Sequence, residues 1–211
     1  KFSYENAREG LLLMIWGYFL KIVLCDRMAI FVDTVYADYT KYNGLFIAVA
    51  TILFGMQIYC DFYGYSTIAM GAAKFIGIDL MENFDAPYLA TSVSEFWRRW
   101  HISLTSWFKD YLYIPLGGSK KGKVRKYLNK MIVFLTSGLW HGANLTFVIW
   151  GGLNGSYQVI GEILLPLRKK FVSFFYLNTE SIGYKLLKGL VTFNLINFSW
   201  IFFRAQSFTE A

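Results

Sequence analysis

Charge is what this chain has least of. Charged residues make up 17% of its 211 residues, while hydrophobic residues reach 55% and aromatics 20%. A soluble domain carries about 25% charge, so the deficit excludes an ordinary soluble enzyme and argues for a polytopic membrane protein. Cysteine is nearly absent. Cys25 and Cys60 each border an apolar run without disulfide or zinc spacing, and they read as two buried free thiols. Histidine is equally sparse: His101 and His141 lie far apart in sequence with no supporting ligand cluster, which is a poor zinc signal, so no metal is expected. There is no internal repeat and no low-complexity tract. No cleavable signal peptide is visible, because LLLMIWGYFL follows mixed charges and lacks a small-residue cleavage site. The chain starts at Lys1 and ends in RAQSFTEA, and it is expected to be a fragment of something longer.

The net charge of +7 does not imply a nucleic-acid partner, because the basic residues cluster. Lys120, Lys121, Lys123, Arg125, Lys126 and Lys130 form the densest group. A short basic loop beside a span is the positive-inside signal, and it places a loop over 117–130 in the cytoplasm.

Uncharged windows predict membrane spans near 10–25, 42–60, 62–78, 131–161 and 186–203. Lys21 is near the end of the first, where it can snorkel. The third is glycine-rich and suits a short or broken helix. The fourth reads either as one long span or as a span plus a re-entrant turn. Between them, Ser92-Val93-Ser94-Glu95 fits a capping box. Behind it, Phe96, Trp100, Leu104, Trp107, Phe108 and Tyr111 recur at helical spacing, with Arg98, Arg99, Lys109 and Asp110 largely opposite. That pattern predicts an amphipathic interfacial helix near 93–112, stopped by Pro115 and Gly117-Gly118.

His141 stands inside the longest uncharged stretch, which runs between Lys130 and Glu162. An ionisable side chain there marks a functional site by default. At helical rise it lies roughly 16 Å past Lys130, near the midplane of a bilayer. A neutral imidazole at that depth can take a proton from a hydroxyl, or accept the acyl group itself before handing it on. Ser137, Asn144 and Thr146 are its polar neighbours in sequence. His101 lies on the interfacial helix, where a structural and a functional role are equally open, and the two histidines meet only if 79–117 dips inward. Asp61, in IYCDFYGYS, reads as a helix cap or as a partner for a buried cation. Arg98 and Arg99 suit either phosphate groups or interfacial anchoring. The tryptophans at 97, 100 and 107 are most simply an aromatic belt.

Four blocks resemble the membrane-bound O-acyltransferases, in the bacterial branch around the alginate O-acetyltransferase membrane subunit. They are DFYGYSTIAMGAAKFIGI (61–78), ENFDAPYLATSVSEFWRRWHISLTSWFKDYLYIPLGG (82–118), SGLWHGANLTFVIWGGLNG (137–155) and SWIFFRAQSF (199–208). The resemblance implies an all-α, polytopic transmembrane enzyme with re-entrant or interfacial helices that moves an acyl group from a thioester to a hydroxyl. It implies His141, in the LWHG block, as the catalytic histidine and His101, in the RRWH block, as the second one. The Ile114-Pro115-Leu116-Gly117-Gly118 block favours the polysaccharide branch over the D-alanyl transfer relatives. Thr67 departs from the branch, in which many members carry Asp, so no acidic role is expected there.

The expected function is therefore O-acetylation of an exported polysaccharide from the bacterial inner membrane. Arg98, Arg99, Trp100, Asp61, Trp140 and Asn144 are the candidate substrate-binding residues. No bound cofactor is expected; the co-substrate is an acyl thioester such as acetyl-CoA or an acyl-carrier protein. Expected partners are membrane lipid, the polysaccharide acceptor and an extracytoplasmic acetyl-transfer protein. A transporter or an inactive scaffold of an export complex are the competing readings, but repeated halves and paired intramembrane carboxylates are missing.

Overall fold

The computed structural model describes residues 3–208. Those residues form helices, turns and loops, with no β-strand among them. The chain divides into two compact units, one running to Asp85 and the other starting at Ala86.

In the first unit, Ser3 caps α1 (Tyr4–Tyr18) by accepting a hydrogen bond from the Asn6 amide at 3.3 Å. A π-helical turn, Phe19–Cys25, carries the chain directly into α2 (Asp26–Ala37). Helix α3 (Gly44–Phe75) opens at Asn43, whose side chain accepts from the amides of Leu45 and Phe46. Its 32 residues span about 48 Å, more than a hydrocarbon core of about 30 Å.

The sequence suggests two spans divided at Asp61, whereas the structure has one uninterrupted helix. The physical reason is a cation from another helix: Lys21 forms an ion pair with Asp61. A paired carboxylate does not have to end an apolar helix. Glycines bring α1 and α3 together. Gly10 meets Gly71 and Gly17 meets Gly64, each pair a heptad apart, with the carbonyl of one occupying the space of the other's missing Cβ. A Cβ on Gly17 would stand 2.6 Å from the Gly64 oxygen. This close antiparallel approach is typical of small residues at membrane helix interfaces. Cys25 and Cys60 are both buried and free, packed with Leu20.

The second unit begins at Ala86 and passes through a 3₁₀ turn, Pro87–Leu89. Helix α4 (Val93–Arg99) starts with the expected cap, the Ser92 hydroxyl accepting from the Glu95 amide at 3.2 Å. Glu95 reaches one residue further back than in a standard capping box. It accepts from the amide and hydroxyl of Thr91 at 2.8 and 3.0 Å.

The amphipathic helix expected over 93–112 is broken. Its backbone turns at Trp100 and His101, α5 (Ile102–Phe108) follows, and a π-helical turn, Lys109–Tyr113, completes it. The cause is His101, at φ +46° and ψ +56° in the left-handed region. The basic segment is also not a loop throughout. Helix α6 (Gly122–His141) already contains Lys123, Arg125, Lys126 and Lys130. The last two converge on Glu162, with Lys126 at 2.6 Å.

Glu162 lies on α7 (Leu145–Ile163), so the uncharged stretch folds as a hairpin of two helices broken at Gly142–Asn144. Gly138 sits against the Phe147 carbonyl and Gly151 against the Phe134 carbonyl, which locks the two antiparallel backbones. Helix α8 (Leu165–Phe174) has no counterpart in the sequence expectations, and α9 (Ile182–Arg204) encloses the span expected at 186–203. By length and composition, α3 and α9 suffice to cross a membrane. The core of this unit is aromatic: Phe96, Trp97, Trp100, Trp150 and Trp200 are all buried.

Candidate active site

His141 is the last residue of α6, immediately before the break, because Gly142 ends the helix and Asn144 starts the next. The Asn144 side chain caps α7 by accepting from the Thr146 amide at 3.2 Å. Its amide group donates to the Gln206 carbonyl at 2.8 Å, tying the segment after α9 to the hairpin. Asn144 therefore shapes the break that exposes His141.

Aromatic rings surround the imidazole. Trp140, Trp150 and Phe203 all stand nearly perpendicular to it, with centroids at 5.0, 5.2 and 5.2 Å. Phe147 lies further off at 6.4 Å. The ring is thus half-buried among apolar surfaces contributed by α6, α7 and α9. Perpendicular aromatic packing of this kind fixes a ring's orientation at modest energetic gain.

The structure brings His101 to the same place. Its ring lies 6.5 Å from that of Trp140, which in turn packs on His141. The hydroxyl of Ser103 stands 3.4 Å from His101 Nδ1. The backbone kink at Trp100 and His101 lies where the chain brings the His101 ring against Trp140.

The remaining candidates are distributed differently. Trp100 is buried, stacked on Phe96 at 5.4 Å and in contact with Trp200 at 5.3 Å, so it belongs to the aromatic core. Trp140 is 60% exposed and forms the open wall between the histidines. Arg99 is held by Glu95 at 2.8 Å, while Arg98 is exposed. Asp61 belongs to the first unit, where it is paired with Lys21. Among the described residues no group of three His, Cys, Asp or Glu side chains is placed to hold a metal.

Trp97, expected in an aromatic belt, is instead buried, and Trp150 and Asn154 beside it were passed over by sequence reasoning. Trp97 donates from Nε1 to Asn154 Oδ1 at 3.1 Å, and Asn154 Nδ2 donates to the Trp150 carbonyl at 2.9 Å. This buried chain pins α4 to α7. A readable signal exists, because Thr146, Trp150 and Asn154 recur every four residues and mark one face of α7. Phe203 and Trp200 carry no comparable signal, since their site role depends on how α9 packs.

Comparison with known proteins agrees with this architecture. The sequence profile of the membrane-bound O-acyltransferase family matches residues 10–203. The chain is 38% identical over 209 residues to the peptidoglycan O-acetyltransferase of Helicobacter pylori, covering 99% of this chain and 38% of that protein. It is 36% identical over 209 residues to the probable alginate O-acetylase AlgI of Pseudomonas aeruginosa, with the same two coverages. The teichoic acid D-alanyltransferase of Bacillus subtilis is 26% identical over 162 residues, 74% of this chain and 40% of the relative. The chain thus spans less than half the length of the curated relatives it matches. With a profile match across nearly its whole length, the chain belongs to the membrane-bound O-acyltransferase family.

Proposed function

We propose that this protein is a membrane O-acyltransferase. It moves an acyl group, acetyl, from a cytoplasmic thioester to a hydroxyl of a cell-surface polysaccharide, and it works in the bacterial inner membrane. The observation that carries the reading is the placement of His141 at the break of the α6–α7 hairpin, half-buried among aromatic rings with His101 nearby. The names of the relatives, O-acetylases acting on alginate or peptidoglycan, support the acceptor class.

In the proposed reaction the His141 imidazole takes the proton of an acceptor hydroxyl, and the hydroxyl oxygen attacks the thioester carbonyl. A C–O bond forms while the carbonyl π pair moves onto oxygen. That pair then returns as the C–S bond breaks, and the departing thiolate collects the proton from the imidazolium. Ester and thiol are the products, and no other reactant is consumed. The aromatic surround excludes water, which suppresses hydrolysis of the thioester. Exposed Arg98 and the lysines opening α6 supply positive charge for the donor's phosphates or for an acidic acyl-carrier protein. Where an extracytoplasmic partner supplies the acceptor hydroxyl, its ester passes the acetyl group to a glycan hydroxyl in a second transesterification that frees the partner's hydroxyl.

The test is the O-acetyl content of surface polysaccharide in cells making the full-length protein or its His141→Ala variant at matched membrane abundance. Loss of acetylation is expected, and wild-type acetylation in the variant would remove the assignment.

A further inference from the structure

Among the described residues of the second unit, the buried side-chain polar atoms left without partners are Asn129 Oδ1 on α6 and four on α7 and α9, where Trp150 packs against His141. Thr146 and Trp150 are 0% and 1% exposed, yet among the described residues Thr146 Oγ1 and Trp150 Nε1 have no hydrogen-bond partner. Leaving such a group buried and unpaired is costly, so two of them together call for an explanation. They lie four residues apart and therefore share one face of α7, the face whose Trp150 ring packs against His141 at 5.2 Å. On α9, Asn197 Oδ1 and Trp200 Nε1 are unpartnered as well, and Trp200 stacks on Trp150 at 5.9 Å. The hydrogen-bonding deficit thus lies on the α7–α9 side of the imidazole.

Helix geometry gives this deficit a sign. Thr146 belongs to the first turn of a 19-residue helix, whose N-terminal end is electropositive. His141 ends α6, at the electronegative end of a 20-residue helix. One end favours an imidazolium and the other favours negative charge on oxygen, and only the short segment Gly142–Asn144 separates them.

We propose that the Thr146 hydroxyl and the Trp150 indole N–H form the binding site for the acyl carbonyl, holding its oxygen as negative charge develops there. The inference rests on the acyl-transfer reading. Both groups are donors, and both are closed to bulk water, where such hydrogen bonds act most strongly. The ligand class is a carbonyl oxygen, carried by a thioester before transfer and by an ester after it.

The experiment compares full-length Thr146→Val, Thr146→Ser and Trp150→Phe with wild type. It reads the initial rate of polysaccharide O-acetylation at matched abundance, together with the melting temperature of each purified protein. Thr146→Val keeps the shape and removes the donor, so acetylation should fall at least about tenfold. The melting temperature should hold or rise, because an unsatisfied buried group is removed. Thr146→Ser should recover acetylation to within about threefold of wild type, and Trp150→Phe should lower it about tenfold. Wild-type acetylation in Thr146→Val, or a rate loss matched by a lower melting temperature, would overturn the proposal. His141→Ala run alongside separates the two readings. If it still acetylates, acyl transfer at His141 fails; if it is inactive while Thr146→Val is normal, only the carbonyl site fails.

Discussion

Replacing Gly151 with alanine should disable the site without touching any reacting group. A Cβ at this position would overlap the Phe134 carbonyl oxygen and stand 3.1 Å from its carbonyl carbon and 3.4 Å from the Gly138 nitrogen. All three are helix backbone atoms, so no side chain can swing away. Carbon contacts settle near 3.5–4.0 Å, and relief therefore requires α6 and α7 to separate by roughly 1 Å. Overpacking of this size costs about 1–3 kcal/mol and should lower the melting temperature by roughly 2–8 °C. The displacement falls next to Trp150 and opens the hairpin that ends in His141. A shift of about 1 Å in a reacting group costs on the order of 100-fold in rate. Polysaccharide O-acetylation and thermal melting of the full-length variant are the assays. Gly152 and Gly161 provide the comparison. A Cβ on Gly152 would meet only Leu135 Cδ2 at 3.7 Å, and one on Gly161 nothing within 4 Å. Alanine at either should be neutral or stabilising by up to about 1 kcal/mol. If Gly151→Ala melts and acetylates like wild type, or if Gly152→Ala is equally damaging, the interlocked hairpin is not what positions His141.

Two further outcomes follow from the packing. Lys21→Met alone should destabilise the first unit by leaving Asp61 uncompensated. Lys21→Met with Asp61→Leu should recover most of the loss, giving a coupling of about 1 kcal/mol or more in a double-mutant melting cycle; strict additivity would show that the pair does not matter. Trp97→Phe removes the donor to Asn154 Oδ1 while Asn154 stays fully buried. It should cost about 1–3 kcal/mol in thermal melting, and an unchanged melting temperature would mean that the α4–α7 link is not made.

The sequence disclosed the candidate site's two histidines and the helical class, but not the geometry that joins them. Apolar windows are a local property, so the apolar stretch that α9 carries was readable from composition. Pairing is not local. Asp61 reads as a helix end because Lys21 is far away in sequence, and the lysines of 120–130 read as a loop because Glu162 lies a hairpin away. The aromatic spacing over 93–112 looks like a single helix, and nothing in that spacing announces a left-handed His101. Helix α8 was legible in principle, since Pro166 stands in its first turn, where proline favours helix initiation. The unpartnered atoms of Thr146 and Trp150 belong to neither class, because a hydrogen-bond deficit becomes visible only once every neighbour is in place.

The left-handed backbone at His101 has a consequence for how this position can change. A side chain with a Cβ is tolerated there at a cost, with asparagine and glycine the easiest alternatives. Alanine at 101 removes an imidazole but retains the strain of the joint, while glycine removes both and frees the hinge between α4 and α5. Asparagine keeps the joint and a hydrogen-bonding arm. The three substitutions thus dissect one residue into a hinge and a ring. Drift at this position is channelled toward the few side chains that can bend the chain, whatever becomes of the chemistry.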